Sequence, residues 1–190
     1  MIEEQPIHSA VAAILKAIGD DPQREGLIET PGRVARMYGE LFSGVGVDPV
    51  LALDTVFQEE TLDEGVVIVR DVPFFSMCEH HLLPFFGRAH MGYIPDGKIA
   101  GASKLARALE VVAHRPQLQE RMTTQIVGAI HDALSPDGAA VVLEAEHFCM
   151  SMRGVKKAGS LIVSSAIRGQ FERRGVSKGE LLGMLYGGTR

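Results

Sequence analysis

From His8 to Ile18 the apolar residues Val11, Ile14, Leu15 and Ile18 recur at the spacing of one helical face, and Asp20, Asp21 and Pro22 end the pattern. A second helix is predicted from Thr30, with Thr30 as N-cap and Pro31 in the first helical position. It runs through Val34, Met37, Tyr38 and Leu41 to near Ser43 and Gly44. The β-branched stretch from Gly65 to Arg70 reads as a strand, and Phe85 to Ile94 as another, closed by a turn at Pro95-Asp96-Gly97. Ser103 is expected to cap a helix carrying Leu105, Leu109 and Val112. Pro116 is expected to open a further helix through Met122, Ile126, Ile130 and Leu134. Ala139 to Glu146 reads as a buried strand, with Ser160 to Ile167 as its partner. A short helix follows Ser177, although the glycine-bearing tail beyond Phe171 is expected to fray.

Strands, then two helices, then strands predict an α+β domain: an antiparallel sheet with helices on one face, preceded by a helical pair. The edges of such a sheet need covering, which self-association would provide. A chain of 190 residues fits one domain with a helical annex, and 46% hydrophobic residues suffice for a full core. The net charge of −5 gives no overall attraction to nucleic acid or to an anionic membrane, so an anionic ligand must be met by local bases. The opening segment, with Glu3, Glu4 and His8, lacks the basic-then-apolar order of a signal peptide. No apolar run approaches the roughly 20 residues that span a bilayer. A cytoplasmic location is the expectation.

The two cysteines, Cys78 and Cys149, each have histidine close by, which in a reducing compartment points to metal or catalysis rather than a disulfide. Cys78 and His81 stand three apart in Met77-Cys78-Glu79-His80-His81, so one turn can aim both at a single ion. Glu146-His147-Phe148-Cys149 supplies a third ligand at the end of a strand. Thiolate and imidazole are the donors zinc selects. Two cysteines and one histidine leave a fourth position open for catalysis, whereas a fourth ligand from His80 or His147 would close the site and make it structural. Spacing alone leaves both arrangements open.

Cys78-Glu79-His80-His81 and His147-Phe148-Cys149-Met150-Ser151-Met152-Arg153-Gly154 resemble the motifs of GTP cyclohydrolase I. The resemblance continues through Thr30 to Tyr38, Ile94-Pro95, Gly101 to Arg107 and Arg115 to Thr123, in the same order along the chain. It implies that Cys78, His81 and Cys149 hold Zn2+ and that His80 and His147 are catalytic. Glu120, with Gln119 beside it, is implied in reading guanine: a carboxylate accepts from N1–H and the 2-amino group, a pair adenine lacks. Ser103, Lys104, Arg107 and Arg153, with Arg33 and Arg36, are implied in holding a triphosphate, which needs converging cations and helix-terminal N–H groups. The implied reaction is hydrolytic opening of GTP at C8, with His147 giving a proton to N7. A second hydrolysis, in which His80 takes part, releases formate, and an Amadori-type rearrangement yields 7,8-dihydroneopterin triphosphate, the first step of folate and pterin biosynthesis.

By the same resemblance the fold is the tunnelling fold, with residues 1–60 an N-terminal helical region and 61–190 the catalytic domain. The sheets of several copies join into a barrel, commonly a homodecamer, with active sites at subunit junctions. A catalytically silent binding module, or another pterin or purine reaction, are the competing readings. Loss of a ligand, of His147 or of Glu120 would favour the silent module, and all are present.

Overall fold

The computed structural model describes residues 2–58, 65–170 and 175–186. Helices α1 (Glu4–Ala17) and α2 (Thr30–Leu41) form the N-terminal pair, followed by a 3-10 turn at Pro49–Leu53. Strands β1 (Val56–Gln58), β2 (Val67–Cys78), β3 (Pro84–Ile94) and β4 (Lys98–Ala100) lead into α3 (Ala102–Ala113). Then come β5 (Pro116–Gln117), α4 (Gln119–Leu134), β6 (Gly138–His147), the single turn α5 (Phe148–Ser151), β7 (Leu161–Gly169) and α6 (Lys178–Tyr186).

The main sheet has five strands in the order β5-β2-β3-β6-β7, and β1 pairs with β4 in a separate two-stranded ribbon. The pairings β2–β3, β3–β6 and β6–β7 are antiparallel, as predicted, but β5 runs parallel to β2 through Met77–Pro116 and Cys78–Gln117. The sheet is therefore mixed. Pro116 does not open a helix but fills an edge strand, where a missing N–H leaves no ladder bond unmade.

Alternation along the strands divides the molecule into two packed layers. Phe85, Ala89, Met91 and Tyr93 of β3, with Ala139, Val141, Leu143 and Ala145 of β6, face α3 and α4. They meet Leu105, Leu109, Val112, Met122, Ile126 and Ile130, forming the larger core. The intervening residues Ile94, Ala140 and Val142 face the opposite way and are covered by Leu181 and Leu185 of α6. Both leucines are fully buried, so the tail does not fray over α6; residues 171–174 and 187–190 lie outside the described residues.

Several boundaries differ from the periodicity reading. Strand β2 continues well past Arg70, because a bulge between Val69 and Val72 absorbs Asp71 at φ 58° and the ladder resumes through Pro73. Helix α1 begins at Glu4, earlier than predicted. Thr30 and Ser103 lie inside their helices: the residues at the cap positions are Glu29 and Gly101, and neither makes a side-chain cap. The helical pair is fastened to the domain at Gly44, whose N–H donates to the His114 carbonyl. A Cβ there would stand 2.0 Å from the Val111 carbonyl oxygen, so only glycine permits this approach. Arg115 closes the joint, its guanidinium donating to the carbonyls of Gly44, Val47 and Val111.

Candidate active site

At one end of the sheet the chain turns sharply out of β2. The His81 and Leu82 amides both donate to the Cys78 carbonyl, and the Cys78 amide donates to the Leu83 carbonyl. This tight turn, with Leu82 in the left-handed region at φ 49°, brings His81 back over Cys78. His81 Nδ1 lies 3.9 Å from Cys78 Sγ. Cys149, in the single turn that follows β6, completes a cluster whose three ligand atoms all lie within 4.8 Å of one another. Burial and the neighbouring Cys78 sulfur both push the Cys149 thiol up. A thiol whose ionisation is opposed by a neighbouring sulfur is poorly placed by itself and suitably placed beside a cation. The donor set of two thiolates and one imidazole therefore fits a zinc-type ion, with one tetrahedral position left over.

His147 is the last residue of β6 and points to the helix face, as Phe85 does across the ladder. Its ring stacks on Phe85 with centroids 4.5 Å apart and planes 6° from parallel. Its Nε2 lies 2.7 Å from Gln119 Oε1. The Gln119 amide nitrogen donates to the carbonyls of Leu143 (3.0 Å) and Ile162 (2.9 Å) and faces Ser164 Oγ at 3.1 Å. The Thr123 hydroxyl donates to the Gln119 carbonyl, so the Ser164 hydroxyl donates to Thr123 and is an acceptor toward Gln119. With every hydrogen of the amide committed, Oε1 must face the histidine, and the network assigns the proton of neutral His147 to Nε2. Burial holds the imidazole below the usual histidine value, with the Glu120 charge pulling it back in part.

The remaining sequence candidates divide between two places. Glu120 is exposed in the first turn of α4, and His80 sits edge-on to His81 with centroids 6.2 Å apart. Arg153 Nη1 lies 3.3 Å from His81 Nε2. The metal cluster, His80, His147, Gln119, Glu120 and Arg153 thus gather at one end of the sheet. Gln119, expected beside Glu120 against the purine, is 1% exposed with its amide fully occupied by protein groups. Ser103, Lys104 and Arg107 begin α3 at the opposite end, where Ala100 meets the Tyr93 hydroxyl. The helix reaches the metal end only at Ala113, whose carbonyl accepts from Ser76, about 16 Å further along its axis. Arg33 and Arg36 are exposed on α2, and no ion pair to either is present among the described residues.

Two braces escaped the sequence reading. Arg121 forms a two-pronged ion pair with Glu79 (2.5 and 3.0 Å), tying the turn that carries Cys78 and His81 to the start of α4. Glu146 accepts from the Ser151 hydroxyl and the Gly159 amide, folding the loop that bears Cys149 and Arg153 back on β6. A carboxylate lodged between two metal-ligand candidates was the available signal for Glu79. Glu146 carried none.

An α+β scaffold here gathers a Cys-His-Cys cluster, a tautomer-fixed histidine and an exposed carboxylate at one sheet end, a set of groups suited to metal-assisted hydrolysis. The chain matches the family model of GTP cyclohydrolase I over residues 7–185. It is 57% identical over 180 residues to GTP cyclohydrolase 1 of Geobacillus kaustophilus, covering 94% of this chain and 95% of that one. To GTP cyclohydrolase 1 of Halalkalibacterium halodurans it is 54% identical over 187 residues, 98% of each chain. That of Dehalococcoides mccartyi strain BAV1 is 55% identical over 187 residues, 97% of this chain and 98% of the relative. A solved structure of the archaeosine synthase QueF-Like aligns with 55% of this chain and 93% of its own at 15% identity, with a TM-score of 0.45. The chain belongs to the GTP cyclohydrolase I family, and it converts GTP to 7,8-dihydroneopterin triphosphate.

Proposed function

We propose that this GTP cyclohydrolase holds Zn2+ on Cys78, His81 and Cys149, and that each active site is assembled from more than one copy of the chain. The cluster of three donor atoms within 4.8 Å carries the metal reading. When bound there, zinc supplies Lewis acidity that brings water ionisation toward neutral pH.

The protein groups around it divide the remaining work. Glu120 accepts from the N1–H and 2-amino edge of guanine, which orients C8 relative to the cluster. His147 has its Nε2 proton committed to Gln119, so Nδ1 is the nitrogen that takes up and returns a proton, serving N7 of the purine as the imidazole ring opens. Its stack on Phe85 keeps the ring from swinging away. His80, exposed beside His81, is placed to serve the second hydrolysis that frees formate. Over the whole reaction GTP and one water give formate and the dihydropterin triphosphate. Two hydrolytic steps take up water, and ring closure returns one.

The triphosphate is the reason to invoke a second copy. Arg153 stands at the metal end, but Ser103, Lys104 and Arg107 begin a helix at the other end of the same chain. A neighbouring copy placing the start of its α3 against the metal end would supply those cations, with Arg33 and Arg36 as further contributors. Joining sheets edge to edge, as in a decamer of barrel-forming rings, would also cover β5 and β7. No helix among the described residues is long and apolar enough to cross a membrane, in keeping with a cytoplasmic enzyme.

Two experiments test these readings. Protein stripped of metal by a chelator should lose both formate release and the dihydropterin absorbance, and zinc should restore both. Turnover by metal-free protein would overturn the zinc assignment. Cys149→Ser and Lys104→Met chains, each inactive alone, should regain activity when unfolded together and reassembled, because some hybrid sites then draw both native residues from different copies. Hybrids that form without regaining activity would return the site to a single chain.

A further inference from the structure

Of the two cations that begin α3, Arg107 is exposed and Lys104 is not left open to solvent. Lys104, whose side chain is only 14% exposed, directs Nζ to Asp54 Oδ1 at 2.6 Å, while the Asp54 side chain is 65% exposed. The ammonium is thus largely withdrawn from solvent against a carboxylate that is itself exposed. The fold builds this placement. Asp54 ends the 3-10 turn at Pro49–Leu53, which packs on α3 through the buried Leu53, and Thr55 accepts from the Gly101 amide where the helix begins. The Thr55 hydroxyl also donates to Asp54 Oδ1. The Lys104 hydrogen bond comes first among the causes that hold the Asp54 carboxyl below its usual range, and the Arg107 charge adds to it.

We propose that Asp54 is a built-in counter-anion for the start of α3, which the substrate's phosphates must displace, so that Asp54 sets how strongly this turn prefers highly charged phosphate. This rests on the reading of Lys104 and Arg107 as triphosphate ligands. A carboxylate carries one negative charge, whereas a terminal phosphate carries close to two at neutral pH and offers three acceptor oxygens. A ligand of single charge gains little by exchanging with Asp54. A triphosphate gains at both Lys104 and Arg107.

The test is calorimetric titration of the full-length assembled protein with inorganic triphosphate at low ionic strength. Asp54→Asn removes the charge at an exposed position and should tighten binding by about two- to fivefold, the range of an exposed ion pair. The KM for GTP should fall in the same direction. Lys104→Met should weaken binding. If Lys104→Met weakens binding and Asp54→Asn leaves it unchanged or weaker, Asp54 orients the lysine rather than competing for it, and the proposal is overturned while the phosphate site stands. If Lys104→Met binds triphosphate as the wild type does, the phosphate reading falls and the proposal with it.

Discussion

Replacing Gln119 with leucine is the most informative single change, because it separates the two things that side chain does. Its amide nitrogen serves the carbonyls of Leu143 and Ile162 and faces Ser164, and its oxygen holds His147 at 2.7 Å. Leucine keeps much of the volume and removes every polar contact. An acceptor left unpaired in the interior costs about 1–3 kcal/mol, and the strand carbonyls keep some ladder bonding, so the loss should total about 2–4 kcal/mol. Urea unfolding of wild type and variant, with equal slopes, would read that difference as a shift in midpoint. Losing the oxygen frees the His147 ring to take the other tautomer. By analogy with groups that orient a catalytic imidazole, kcat on GTP should fall roughly ten- to hundredfold. Ser164→Ala separates the two effects, since it removes one acceptor and leaves the Gln119–His147 bond. It should cost about 1 kcal/mol of stability and far less of kcat. A Gln119→Leu enzyme with wild-type kcat would refute the positioning argument. Wild-type stability would show that the network contributes little to the fold.

Three further outcomes are expected. Cys149→Ser should fail to retain zinc through dialysis and release no formate, because a hydroxyl is a poor ligand for that ion; normal metal content by elemental analysis would remove Cys149 from the cluster. Glu120→Ala changes an exposed residue, so the unfolding midpoint should hold while GTP binding is lost; equal GTP affinity in wild type and variant would take Glu120 out of guanine recognition. Arg24, hydrogen-bonded to Asp20, holds its carboxyl down to about 2, below the ordinary carboxylate value of about 4. A depressed folded-state value contributes stability above the unfolded value and loses it as pH falls through the folded one. The difference in thermal midpoint between wild type and Asp20→Asn should therefore be present near neutral pH and shrink toward pH 2; a gap widening in acid would reverse the sign.

What could be read along the chain was whatever each residue announces locally. Cysteine and histidine three apart can be aimed at one ion by a single turn, and in the fold their ligand atoms and that of Cys149 do lie within 4.8 Å of one another. The unbroken apolar run of β6 and the apolar stripes of α3 and α4 placed the sheet and its helices, because burial on both faces of a strand leaves a continuous run and burial on one face of a helix leaves a period. The failures share a different cause. Pro116 suits the first turn of a helix as well as a sheet edge, and only Met77 and Cys78, far away in sequence, decide that it pairs as a strand. Strand β2 was cut short because a bulged Asp71 and Pro73 look like breakers until β3 is laid beside them. Gln119 is the sharpest case. Next to Glu120 at a helix start it looks like a second ligand-reading side chain. Its partners Leu143, Ile162 and Ser164 lie on two strands that meet α4 only in the folded chain, and they turn it inward to serve His147. A residue type states what a side chain can donate or accept. The fold decides which groups reach it first.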